Sequence, residues 1–396
     1  KYMHKYNTAH FKKSTIIYIK DQMPKDVFYI ITKGKAISYG TFNYNVEFNQ
    51  GDILGLVNIL LNEPYFFNVK AMEDVEAIEV DITEVIKTKN EELMVKIAAN
   101  LDASFETWLG RYYMLLSENK EIANIRTKEE IMNMADIYNK NEFKHVAYKL
   151  YDEYIKLFPE NADDVKDKLS EITPVEEPQK NDDNIFYYKK GYCLYTELEY
   201  TNTLYIIKSG VIGIYNIINS KQMTRAIYSK NSMIDGYKPV LQYLPLSTCA
   251  VALEDTAIKK VTRNELINIS EQDPELNLYY IKMVSIKIRN TILKLMVLSV
   301  DDLLSKLLIT LYYMLKTEIL PEDVNSINLL YTLNDIKTLT DIKDVKLIER
   351  ELNRVRGVSV GSDGYINITD IKSLIIEYRN CINRLSNTHH HSMMYF

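Results

Sequence analysis

The chain has 396 residues, a formal net charge of −6, 46% hydrophobic residues and 26% charged residues. Such a length exceeds one typical core and points to roughly two to four domains. The acidic balance excludes a protein that coats nucleic acid indiscriminately, because phosphate neutralisation needs surplus Lys and Arg, and the lack of an apolar run of about 18 residues excludes a helical membrane span.

No basic segment followed by an apolar stretch opens the sequence, so the expected location is cytoplasmic, although Lys1 in place of an initiator Met leaves the true start open. Cys193, Cys249 and Cys381 stand far apart with no CxxC pair. They read as free core thiols, with no metal and no cofactor implied. No nucleophile–base constellation or P-loop is recognisable, so an enzyme is not expected.

Taken in chain order, FKKSTIIYIK (11–20) and DVFYIITKGKAISYG (26–40) are short β-branched or aromatic segments bounded by turn residues at Gly34. They predict a small antiparallel β domain over 1–90. Within it, GDILGLVNILLNEPYFFNVKAMED (51–74) sets Gly55 before a short apolar helical run, and Pro64 leads into an extended segment. A long amphipathic helix follows at 93–115, and 135–161 reads as a helical hairpin; together they form a spacer over 91–172. The polar, proline-containing stretch 170–183 predicts a linker, placed at 173–184.

The pattern then repeats. YKKGYCLYTE (188–197) echoes 11–20, and NTLYIIKSGVIGIYN (202–216) echoes 26–40, at a spacing of about 176 residues. SMIDGYKPVLQYLPLSTCAVALED (232–255) corresponds to 51–74, matching Gly236 with Gly55 and Pro245 with Pro64. A second β domain is therefore predicted over 185–272. A helix follows at 273–300, and 301–384 reads as helix, turn, helix, then a hairpin with its tip at 361–364 and a final helix. Residues 385–396 form a tail.

A β domain with a glycine-started short helix before its last strands resembles the cyclic-nucleotide-binding β-roll of catabolite-activator/FNR-type regulators and kinase regulatory subunits. The C-terminal pattern, with its Ile366, Ile368, Asp370 close, resembles the winged helix-turn-helix of the same regulators. Ala135, Tyr138, Ala147, Tyr151 and Pro159 resemble one tetratricopeptide hairpin, too little for a solenoid. The resemblance implies an α+β chain: two β-rolls joined by a tetratricopeptide-like spacer, then a winged helix-turn-helix. It also implies a DNA-binding transcription regulator, paired as a homodimer through about 275–298 or as an internal pseudo-dimer of 93–115 against the later helix.

In that family an acid after the pocket glycine holds the ribose and an arginine after the proline neutralises the phosphate. Here those positions are Leu56 and Tyr65, followed by Phe66 and Phe67; in the second copy they are Tyr237 and Leu246, followed by Ser247 and Thr248. A buried phosphate with no cation is costly, so cyclic nucleotide is not an expected ligand. The rolls are either scaffolds plugged by Tyr65, Phe66, Phe67 and Tyr237, or repurposed pockets for an apolar or uncharged ligand; Ser247 and Thr248 leave a weak anion open.

Helical spacing puts Lys343, Lys346, Arg350 and Arg354 on one stripe, with Val345, Ile348, Leu352 and Val355 opposite. That is the pattern of a recognition helix contacting double-stranded DNA. Asp344, Glu349 and Glu351 suit the alternative of a solvated helix, as do the ten Lys/Arg against thirteen Asp/Glu from 301 to 380. On that alternative the chain is a degenerate scaffold for a protein partner, or a sensor of another ligand. The turn Thr340-Asp341-Ile342 lacks the family's usual glycine.

Overall fold

A computed structural model describes residues 6–40, 45–116, 126–199, 203–235 and 248–393. The chain divides into two compact units, Lys1–Trp108 with Ile267–Ile292, and Leu109–Leu266 with Leu293–Phe396.

In the first unit, strands Thr8–Phe11, Val75–Asp81, Val27–Lys33 and Ile53–Leu54 pair in that order, and Ile16–Tyr18, Asn68–Ala71, Ala36–Tyr39 and Glu47–Phe48 form the second sheet. All pairings are antiparallel. Inward residues of both sheets, among them Ile31, Ala36, Leu54, Val69 and Ala77, make one core. The turn at Gly34 needs glycine twice over. Its φ is 86°, and a Cβ there would lie 2.3 Å from the Asp74 carbonyl oxygen. The Asp74 side chain accepts from the Lys13 N–H at 2.9 Å and from Lys12 Nζ at 3.0 Å.

The second unit repeats this construction. Strands Ile185–Tyr188, Thr256–Thr262, Thr203–Ser209 and Met233–Asp235 pair in the same order, as do Cys193–Tyr195, Cys249–Ala252, Ile212–Ile218 and Lys221–Tyr228. Even the turn recurs: Gly210 has φ 89° against the Asp255 carbonyl, and Asp255 accepts from the Lys190 N–H and Lys189 Nζ. One edge is different. Gln179–Lys180 adds a strand to Ile185–Tyr188, so, while 173–178 has no regular structure, the end of the stretch expected as a linker belongs to the roll. Asn181 turns it by accepting from the Asp183 and Ile185 N–H groups, Asn184 takes φ 60°, and Tyr192 donates to Glu177.

Helices Lys128–Lys140 and Lys144–Leu157 form the hairpin expected at 135–161, followed by a 3₁₀ turn at Pro159–Asn161 and helix Asp163–Ser170. A capping box of Thr127 and Glu130 starts it. Ala135, Tyr138, Ala147 and Tyr151 are fully buried and share a core with Cys193, Tyr215, Ile217, Cys249 and Val251 of the second roll. Polar groups thread this core. The Cys193 N–H donates to His145 Nδ1 at 3.0 Å, the Cys249 thiol to Tyr138 at 3.3 Å, and the Tyr138 hydroxyl to Glu197. All three cysteines are buried and free.

The C-terminal segment runs helix Leu303–Thr317, strand Ile327–Thr332, helices Leu333–Thr340 and Val345–Leu352, strands Val358–Val360 and Tyr365–Ile368, and helix Ile371–Met393. Its strands pair in the order 327–332, 365–368, 358–360. The segment covers the edge strand Lys221–Tyr228, whose Thr224 N–H donates to Thr338 Oγ1 at 3.1 Å and whose Ile227 N–H donates to the Tyr331 hydroxyl at 2.9 Å. An edge that would otherwise invite another strand is closed.

Burial, reinforced by Lys149, lowers the His145 pKa to about 4 from 6.5, while burial raises that of Glu197 to about 7 from 4.5, opposed by the Tyr138 hydrogen bond. The stabilisation linked to neutral His145 is present above pH 6.5 and is lost as pH falls toward 4. That linked to protonated Glu197 is present below pH 4.5 and is lost as pH rises toward 7. The two slopes oppose each other between these limits. We therefore expect these two contributions to offset each other in the pH dependence of denaturant unfolding over pH 4.5–6.5. Relative to the parent chain, Glu197→Gln should make the slope of stability against pH more positive there, and His145→Gln should make it more negative; changes of the same sign would contradict the assignment.

Candidate functional site

In the first roll, Gly55 turns the chain with φ 81° into the short helix Leu56–Leu61, and Asn62, at φ 51°, ends it. The buried Asn58 donates from its side chain to the Pro64 carbonyl at 2.7 Å, tying the exit loop back to the helix. Leu56 is buried in the core. Tyr65 stacks on Tyr18 at a centroid distance of 4.0 Å and 13°. A Cβ at Gly55 would lie 3.2 Å from the Tyr65 ring, so that ring covers the start of the helix. Burial, then the nearby Tyr29, pushes the Tyr65 hydroxyl up to about 12, which keeps it neutral.

Phe66 and Phe67 do not fill the pocket, as a plug would require; they line it. A cavity of 210 Å³ remains, its wall completed by Asn100, Leu101, Ala103, Ser104, Thr107 and Trp108 of helix Glu91–Leu116 and by Ile288 and Ile292 of helix Pro274–Ser299. Phe67 stacks on Trp108 at 5.8 Å and 24°. Glu47 and Asp52 also line the cavity, and among the described lining residues there is no Lys, Arg or His. Coulomb repulsion and unpaired burial therefore both act against a phosphate here.

The later helix is locked onto the pocket loop. Arg289, with its side chain 1% exposed, pairs with Glu63 at 2.5 Å, and the Tyr280 hydroxyl donates to Asp102 at 2.6 Å. Glu47, Asp52, Glu63, Trp108 and Arg289 were not singled out from sequence. The available signals were the chain's single tryptophan and an arginine in the middle of an apolar helix. In the second copy, Gly236, Tyr237, Leu246 and Ser247 lie outside the described residues, and half-buried Thr248 precedes strand Cys249–Ala252.

The basic stripe is shorter than helical spacing suggests. The helix spans Val345–Leu352, with Asp344 as N-cap and Asn353 as C-cap. Lys343 therefore precedes it and Arg354 follows it, leaving Lys346 and Arg350 on the helix itself. Ile348, Leu352 and Val355 are buried and Val345 is half-buried, as expected, and all four basic residues are exposed. Two acids temper the charge: Asp344 accepts from the Lys346 and Leu347 N–H groups, and one oxygen of Glu351 receives both Arg350 and Arg354 at 3.2 Å. The missing turn glycine is accounted for by Asp341, which adopts φ 56°, a left-handed conformation that Asp tolerates better than most residues.

Comparison with known proteins supplies one match that bears on this site. Residues 8–89 match the cyclic nucleotide-binding domain family. That match covers the first roll and its pocket helix, Leu56 and Tyr65 included. No curated protein sequence matches the chain. Among solved structures, FixK2 from Bradyrhizobium japonicum is similar at 16% identity and TM-score 0.38, over 48% of this chain and 94% of that one. A CRP/FNR-family transcriptional regulator from Thermus thermophilus is similar at 16% identity and TM-score 0.37, over 49% and 98%. An EAL enzyme in its cAMP-bound form is similar at 26% identity and TM-score 0.19, over 21% and 23%. Likeness of this degree does not bear on activity. Among the described residues, no helix is long and apolar enough to cross a membrane.

Calorimetry with cyclic AMP and cyclic GMP should show no binding at micromolar concentration, because Tyr65 covers the helix start and the lining carries acids. Micromolar affinity for either nucleotide would contradict that account.

Proposed function

We propose that the chain is a transcription regulator whose C-terminal segment is a winged helix-turn-helix that contacts duplex DNA, and whose first roll does not respond to cyclic nucleotides. The observation that carries this reading is the helix Val345–Leu352. Its apolar face is buried, and Lys346 and Arg350 stand exposed after a tight turn and before a hairpin with its tip at Gly361–Gly364. A helix so held presents long donors outward while its position is fixed by packing. Exposed Lys343 and Arg354 flank it and extend the same basic surface. We further propose that the second roll is a degenerate copy of the first, and that pairing is internal. The contacts of Arg289 with Glu63 and of Tyr280 with Asp102 support the internal pairing, because they spend faces of the later helix that a homodimer seam would use.

A second reading, a platform for a protein partner, is favoured by the neutralising contacts of Glu351 and by the acidic balance of residues 301–380. The two readings part on duplex affinity. Fragments selected from genomic DNA should bind in a strongly salt-dependent way. Replacing Lys346 and Arg350 together by alanine should leave folding intact, reduce affinity at least about tenfold and lower the salt slope by about two. Full affinity in a folded double variant would exclude this helix as the DNA contact, and failure to select any fragment would favour the protein platform.

A further inference from the structure

The 210 Å³ cavity of the first roll has a composition that selects among ligands by charge. Its walls hold five aromatic rings, from Tyr18, Phe48, Phe66, Phe67 and Trp108, together with the carboxylates of Glu47 and Asp52. Glu47 is exposed and Asp52 half-buried, so the acids stand toward solvent, whereas Tyr18 and Trp108 are buried. One Asp52 oxygen accepts the Asn49 N–H at 2.6 Å, which holds that carboxylate in place. A neutral apolar ligand would use the rings and leave the acids unexplained; an anion would be repelled by them. An organic cation with an apolar body uses both, because the rings pack against the body while the carboxylates pair with the charge.

We propose that this cavity binds a small organic cation, an amine carrying an apolar or aromatic body of about ten non-hydrogen atoms, with its ammonium toward Glu47 and Asp52 and its body among the rings. This goes beyond the DNA reading and does not depend on it. The ligand class also differs in charge from the nucleotides that the family's name describes.

Trp108 is the chain's single tryptophan and lines the cavity, so its fluorescence reports occupancy directly. Phenethylammonium should produce a saturable change in the full chain at neutral pH, whereas phenylacetate at equal concentration should not. The uncharged isostere 2-phenylethanol should bind at least about tenfold more weakly than the amine. Glu47→Gln, at an exposed position where folding is not at stake, should weaken the amine several-fold and leave 2-phenylethanol unaffected; adding Asp52→Asn should weaken the amine further. Equal binding of amine and alcohol, binding of the carboxylate, unchanged amine affinity in Glu47→Gln, or no fluorescence response to the amine would each overturn the proposal.

Discussion

Arg289 and Glu63 form an ion pair almost sealed from water, and the geometry of the first unit depends on it. Removing two charges from water costs several kcal/mol per ion, which their attraction offsets only when they meet closely and stay hydrogen-bonded. Such a pair therefore specifies position more than it adds stability. It joins the loop leaving the pocket helix to a helix 226 residues later in the chain. Ile288 and Ile292 lie beside Arg289 on that helix, and both reach the cavity wall. A shift of one residue in helix register would withdraw the guanidinium and the two isoleucines together.

With the wall set in this way, the character of the pocket follows from a few side chains. Tyr65 takes the place at the helix start, held by its stack on Tyr18 and by the room that Gly55 leaves. The space left over is aromatic on one side and acidic on the other. The polar work of the second unit lies elsewhere, in a buried thread linking its helical hairpin to the roll through His145, Tyr138 and Glu197. One unit thus keeps a cavity, while the other buries its titratable groups against the spacer.

The repeat was legible because its turn chemistry is local. Gly34 and Gly210, each followed about forty residues later by an Asp that receives a Lys-Lys pair, recur in sequence and in space. The helical hairpin was legible for the same reason, since Ala135, Tyr138, Ala147 and Tyr151 meet across adjacent helices. The cavity was not. Its lining comes from segments as distant as Tyr18 and Ile292, and nothing local in the sequence couples them. The basic stripe was partly legible: periodicity found the buried face, but capping by Asp344 and Asn353 decides where the helix stops. The 173–184 stretch was legible only in part: it is largely exposed and irregular, but its end forms an edge strand and an Asn-led turn, which polar residues also suit.

The most direct measurement is a double-mutant cycle on Glu63 and Arg289, followed by denaturant unfolding of the first unit through the fluorescence of buried Trp108. Glu63→Gln and Arg289→Met should each cost about 3–5 kcal/mol by stranding the other charge, and the double variant should cost much less than their sum. Single losses below about 1 kcal/mol that simply add would show that the pair does not set this unit's geometry, and would contradict the account.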